Sequence, residues 1–292
     1  MTPPLVADLH VHYPMHVLAD DREAALKRMV TVRGRPGAVA KVRGAVLWVT
    51  SRLLNYSKWD GGPRVTVDFL AQGGVRVALS VLYSPFDEMD LDEPYGAAPE
   101  PDYFRRLVEQ LETIEDELAG HERAAVVRRA TELDRALSEE KVAIVHCVEG
   151  GFHLGATPEQ VDASVTALAA RGVAYITLAH LFWRRVAANA PAIPFLPDAL
   201  YDGVRKRKTK TLEESVGVIA RHVDRIHDIT GTHRHVAIGS DFDGFIKPTL
   251  GGLERSSDLE RLSAALISRY GAADAERILA GNALRVLRSA LR

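Results

Sequence analysis

The sequence predicts an α/β fold of the TIM-barrel-like (β/α)8 kind, with fewer strands than a closed barrel uses. Three observations point there. Short apolar runs alternate with longer segments of helical period, the pattern of βαβ units around a parallel sheet. The run Val142-Ala143-Ile144-Val145-His146-Cys147-Val148-Glu149 is nearly continuous in its apolar character, as in a parallel strand covered on both faces. Several runs end in His, Glu or Asp, and in a barrel those C-terminal ends share one rim, where such folds place their chemistry.

The elements follow in order. Leu5 to His12 reads as a first strand with its polar residues gathered at the C-terminal end. Residues 20 to 60 are mixed, basic and partly helical, an excursion from the core. Gly73-Gly74 introduces a second strand, Val75 to Leu82, and the acidic, proline-containing stretch 86 to 101 reads as a loop. From Asp102, a candidate N-cap, to about Ala136 the period is helical, with Leu107, Leu111, Ile114 and Leu118 on one face. The third strand is Val142 to Glu149, followed by a helix from Thr157 to Ala170 and a fourth strand from Val173 to His180. Phe182 to Gly203 is loop-like, and Val204 to Lys210 is a basic run leading into a helix. That helix opens on the capping box Thr211-Leu212-Glu213-Glu214 and runs to about Ile229. Val236 to Asp241 is the last strand, and two helices, near Asp258 to Tyr270 and Ala272 to Leu287, finish the chain.

Composition narrows the function classes. The chain has 292 residues, 47% of them hydrophobic, enough for one sizeable domain. A net charge of −2 gives no global field to hold nucleic acid or acidic lipid. The single cysteine, Cys147, excludes an intramolecular disulfide and suits a reducing cytoplasm, the expected location. Met1-Thr2-Pro3-Pro4 carries no basic leader segment, and no window has the apolar length of a membrane span. A small-molecule substrate is the expected partner.

Candidate chemistry sits at the strand ends. His10 and His12 are two apart in a strand, so both imidazoles face one side and can converge on one cation. Neutral imidazole suits zinc and other borderline metals. An ordinary pair of core or surface histidines gives the same pattern. Asp8 shares that face and could orient a histidine. His16, in the following loop, is incidental. Glu149 ends the third strand before Gly150-Gly151 and could bridge two metals; a salt bridge at a turn is the plain alternative. His146 reads as a buried structural residue and His153 as a weak substrate contact. His180 ends the fourth strand, placed as a ligand or as a donor to a substrate carbonyl or developing oxyanion. Asp241 could take a proton from a metal-bound water and deliver it to a leaving amine, while Asp243 fixes the turn. His222, His227, His233 and His235 read as structural or exposed.

This combination resembles the membrane (renal) dipeptidase family of zinc metallopeptidases, within the amidohydrolase-like superfamily. Val236-Ala237-Ile238-Gly239-Ser240-Asp241-Phe242-Asp243-Gly244 is close to that family's last-strand motif. Val148-Glu149-Gly150-Gly151 is similar to its bridging-glutamate motif, and Tyr175-Ile176-Thr177-Leu178-Ala179-His180 to its substrate-histidine strand. Gly73-Gly74-Val75 and Gly281-Asn282-Ala283-Leu284-Arg285 resemble the second-strand entry and the C-terminal signature. The resemblance implies one dipeptidase-like domain over residues 1 to 292, with an insertion at about 20 to 66. It implies a binuclear zinc site in which Glu149 bridges, His10 and His12 bind the more buried ion, His180 holds substrate and Asp241 handles the proton of the bridging hydroxide. The implied reaction is hydrolysis of a dipeptide or related small amide.

Two departures stand out. His12 occupies the place of the family's usual first-strand aspartate. The family also has three strands between those ending here in His180 and Asp241, two of which supply histidine ligands; residues 181 to 235 hold no strand ending in histidine, as if deleted near residue 200. One zinc ion rather than two, His153 or another histidine as a substitute ligand, and a homodimer covering open strand edges are the readings this leaves. A catalytically impaired remnant acting as a binding protein is the competing function. A phosphoesterase of the polymerase-and-histidinol-phosphatase type is another, because it shares the opening Asp-Leu-His-Val-His.

Overall fold

The computed structural model describes residues 4–17, 63–88, 97–180, 211–244 and 250–291, with the isolated positions 38, 41, 42 and 45. The side chains of residues 16, 17, 85 and 86 lie outside the description. So do most of the expected 20 to 66 insertion, the centre of the acidic loop and the whole 181–210 connection.

The chain builds a curled, all-parallel sheet, half of a barrel. Its strands are β1 (Val6–Val11), β2 (Val75–Leu82), β3 (Ala124–Val126), β4 (Val142–Glu149) and β5 (Ile176–Thr177). β1 pairs with β2 and β2 with β4. β3 and β5 share the remaining edge of β4, at Val142 to Ile144 and at Val148 to Glu149 respectively. The segment 236–242 runs parallel along the other edge of β1, bridging Asp8 to Ile238 and Val11 to Phe242. The bounds of β2 and β4 coincide with the apolar runs that predicted them, because both strands are buried along nearly their whole length.

Helices cover both faces. They are α1 (Val67–Gln72), α2 (Asp102–Leu118), α3 (Ala130–Ser138), α4 (Pro158–Ala170), α5 (Leu212–Thr230), α6 (Leu259–Glu276) and α7 (Asn282–Ala290). Ile144 and its same-face neighbours pack with Leu70 of α1, Ile114 of α2, Val223 of α5 and Leu266 of α6. Val145 and Cys147, on the opposite face, pack with Leu133 and Ala136 of α3 and Ala283 and Leu287 of α7. Among the described residues no helix is long and apolar enough to cross a membrane.

Three expectations are corrected. The predicted helical stretch from Asp102 to Ala136 is two helices with a strand between them. Gly120, at φ 72°, ends the first turn-off from helix geometry, and Ala124-Ala125-Val126 then pairs with β4. Pairing to an available strand edge overrides the helix preference of alanine. Asp102 is the first helical residue rather than the cap, which is Pro101. The fourth strand is short, although Ala174, Tyr175 and Leu178 still exchange backbone hydrogen bonds with β4 and the turn after it. The cap predicted at Thr211 matches the structure, where its side chain accepts the backbone N–H of Glu214, and Thr157, just before the first residue of α4, caps that helix in the same way through Gln160. The helical break predicted between Tyr270 and Ala272 is Gly271, at φ 78° and ψ 163°.

Candidate metal centre

Four strand ends converge at the rim. β1 supplies His10 and His12, β4 ends in Glu149, the segment after β5 supplies His180, and the last strand supplies Asp241. Glu149 is the hub. Its Oε1 lies 3.4 Å from His10 Nε2 and 3.4 Å from His180 Nε2, and its Oε2 lies 3.4 Å from His12 Nε2. Asp241 Oδ1 is 3.0 Å from His12 Nε2 and 3.7 Å from His10 Nε2. His10, His12 and Asp241 each offer a donor atom within 4.8 Å of the others, a set able to hold a metal ion. The side chain of Glu149 is 8% exposed and that of Asp241 48%.

The local backbone makes this convergence. Gly150 turns the chain sharply after Glu149 at φ 99°, and a Cβ there would fall 2.1 Å from the Phe152 ring. Asp241 and Asp243 adopt left-handed φ of 57° and 59°, a conformation aspartate tolerates better than most residues. Gly244 lets the turn close, since a Cβ there would meet Asp241 Oδ1 at 2.2 Å. Asp243 fixes more than its own turn: its Oδ2 accepts the backbone N–H of Arg64 and of Val65, both at 2.8 Å.

Hydrogen bonds set which nitrogens face the centre. Tyr175 donates its hydroxyl proton to the Leu9 carbonyl at 2.9 Å, so its hydroxyl oxygen accepts the His10 Nδ1–H, also at 2.9 Å. In the neutral ring that leaves the lone pair of His10 on Nε2, toward Glu149. His180 Nδ1 meets Glu88 Oε2 at 2.8 Å, and the Tyr83 hydroxyl donates to that same oxygen. Asp8 does not orient a histidine ring, as the sequence reading had it. It is wholly buried and accepts the backbone N–H of Ser240 at 2.9 Å and of His10 at 3.2 Å, stitching β1 to the last strand. Burial pushes its carboxyl up to about 6, against those hydrogen bonds.

The carboxylates and imidazoles of the cluster shift one another. Burial alone would raise Glu149, but its hydrogen bond to His10 and the charges of His180, His12 and His10 pull it down to about 2. Burial alone would lower His10, yet Glu149, Asp241 and Asp8 raise it overall. Burial likewise opposes the charge on His180, and Glu88, Glu149 and Asp241 outweigh it, holding the ring up at about 9. Two buried atoms here, Glu149 Oε2 and His12 Nδ1, have no hydrogen-bond partner among the described residues. A buried carboxylate ringed by imidazoles, with an oxygen left over, fits a divalent ion of the borderline class.

The remaining histidines lie elsewhere. His146 faces outward, buried beside Glu115 at 3.8 Å, and burial with the charge of Arg128 lowers it to about 4. His153 is completely buried in the turn after β4, where burial lowers it to about 3; it is not an open substrate contact. His222 and His227 lie on α5, and His233 and His235 precede the last strand, at the far end from Asp241. His233 pairs with Asp274 at 3.2 Å. The side chain of His16 lies outside the described residues. The sequence reading missed Tyr175, Glu88 and Tyr83. Tyr83 and Glu88 follow the C-terminal end of β2 and Tyr175 directly precedes β5, without a motif that separates them from loop residues.

Comparison with known proteins places this geometry. The sequence profile of the membrane dipeptidase family (peptidase family M19) matches residues 20–204 and 193–291. The match includes the 20 to 66 stretch and starts past His10 and His12. A dipeptidase AC described as a metallopeptidase of family M19 shares the fold at a TM-score of 0.61 and 15% identity, over 100% of this chain and 99% of that one. A metallopeptidase from Rhodobacter sphaeroides, liganded with a phosphinate mimic of the dipeptide L-Ala-D-Ala, does so at 0.58 and 15%, over 100% of both chains. A probable dipeptidase, PvdM, from Pseudomonas aeruginosa gives 0.53 and 14%, over 86% of this chain and 98% of that one. At these identities the likeness concerns the fold. No curated protein sequence matches the chain.

Proposed function

Because the chain belongs to the membrane dipeptidase family of metallopeptidases, we propose that it is a zinc-dependent hydrolase of dipeptides or related small amides. His10, His12 and Glu149 hold the metal, and Asp241 and His180 are the catalytic residues. The observation that carries this reading is the gathering of three imidazole Nε2 atoms around the Glu149 carboxylate, with Asp241 Oδ1 against two of them, from four strand ends.

A zinc ion bound there supplies a Lewis acid and lowers the pKa of water. Exposure separates the two carboxylates. Glu149, buried, holds its place among the imidazoles, whereas Asp241, with half its side chain open, can carry a proton from the attacking water to the leaving amine. Asp241 also stands within the donor set, its Oδ1 within 4.8 Å of the donor atoms of His10 and His12. His180, protonated beside Glu88, offers Nε2–H to the substrate carbonyl oxygen as negative charge develops on it.

The proposal takes one ion per chain. No histidine lies between His180 and His222 in the sequence. Among the described side chains, those of His10, His12 and His180 are the imidazoles that reach Glu149. Elemental analysis of the purified protein, with Glu149→Gln and Asp241→Asn assayed on a dipeptide panel, tests the reading. Zinc near one per chain and a loss of at least ~100-fold in kcat/KM for each variant supports it. Absence of bound metal, or full activity in both variants, overturns it. Zinc without any hydrolysis would favour the binding-protein alternative.

A further inference from the structure

We propose that Glu88 is the positioning residue of His180, fixing which imidazole nitrogen faces the substrate; this rests on the reading above that His180 holds the substrate carbonyl. Glu88 closes the one-turn helix Pro85–Glu88 that follows β2, and it is completely buried. A carboxylate is placed in such a position at a cost, and its contacts show what it serves. One oxygen, Oε2, takes both the His180 Nδ1–H, at 2.8 Å, and the Tyr83 hydroxyl. The Tyr83 ring stands edge-on to the imidazole, with centroids 4.9 Å apart. His180 is therefore held by a carboxylate on one nitrogen and walled by a phenol ring, and its Nε2 is left 3.4 Å from Glu149 Oε1, inside the centre. A flipped ring would put Cδ2 against Glu88 and Cε1, not Nε2, toward Glu149. Tyr175 does the corresponding task for His10 with a neutral oxygen, so the two rings are held by chemically different partners. Each ring is thereby turned so that its Nε2 faces the centre.

Glu88→Gln is near-isosteric but offers one acceptor oxygen and brings an NH2 group toward the donor Nδ1–H or the Tyr83 hydroxyl. In zinc-loaded protein we expect kcat/KM to fall roughly 10- to 100-fold with zinc content unchanged. In a His180→Asn background the same change should cost less than about twofold, because a residue that acts through His180 has nothing left to position. Imidazole 15N spectra, with the His180 signals identified by their loss in His180→Asn, should show a proton on Nδ1 in the wild type and a displaced signal in Glu88→Gln. Full kcat/KM in Glu88→Gln, an equal penalty in both backgrounds, or an unprotonated Nδ1 in the wild type would each overturn the proposal. If the wild type hydrolyses no dipeptide, the hydrolase reading fails by itself, and the spectra still decide whether Glu88 sets the ring.

Discussion

His146 and Glu149 stand three positions apart on β4 and face opposite sides of the sheet, so one strand carries two buried ionisable groups with opposite fates. Glu149 is surrounded by imidazoles and stays ionised. His146 has a carboxylate at 3.8 Å, but that carboxylate, Glu115, is engaged with Arg128 at 2.5 Å, so burial wins and the ring stays neutral. A histidine whose folded pKa lies below its unfolded value takes up its proton more readily once unfolded. The stability it permits is complete above pH 6.5 and is lost as pH falls toward 4. The gap from 6.5 to about 4 corresponds to on the order of 3 kcal/mol. Denaturant unfolding of zinc-free wild type and His146→Gln at pH 7 and pH 4 should therefore show the wild type losing about 3 kcal/mol more across that interval. Parallel losses would mean that His146 is not the group that titrates.

At the scale of elements, the last strand is positioned by polar clamps rather than by a full ladder. Asn282, at the start of α7, donates to the carbonyls of His233 at 2.7 Å and Val236 at 2.8 Å, fixing the entry to the strand. Asp8 holds its middle through Ser240, and the Asp241 N–H donates to the His10 carbonyl at 2.8 Å. Asn282→Ala removes two nearly buried hydrogen bonds and should lower the unfolding free energy by about 2 kcal/mol, read by chemical denaturation. An unchanged midpoint would remove Asn282 from this role. The Gly281-Asn282 signature was visible in the sequence, but its reason, a side chain capping a distant turn, was not. β2 and β4 were legible because burial on both faces leaves a continuous apolar run. β3 was not, because three residues of Ala and Val acquire strand character only from the edge of β4 beside them.

For the whole molecule, a half-barrel has the same property as a closed one: parallel strands bring their C-terminal ends to a common rim. That is why His10, His12, Glu149, His180 and Asp241 could be read as one site from five separated positions. The groups that orient them could not. Glu88 precedes His180 by 92 residues and Tyr175 follows His10 by 165, and only the fold places each pair in contact. The strand ends bring His10, His12 and Asp241 together at the rim, with donor atoms within 4.8 Å of one another. The most direct measurement of the central claim is dipeptide hydrolysis by chelator-stripped protein as zinc is titrated back. Turnover should rise from baseline and saturate at about one equivalent of zinc per chain, the number of ions these imidazoles and carboxylates can coordinate in tetrahedral geometry. Turnover that is as fast in the stripped protein, or that never appears at any zinc load, would contradict it.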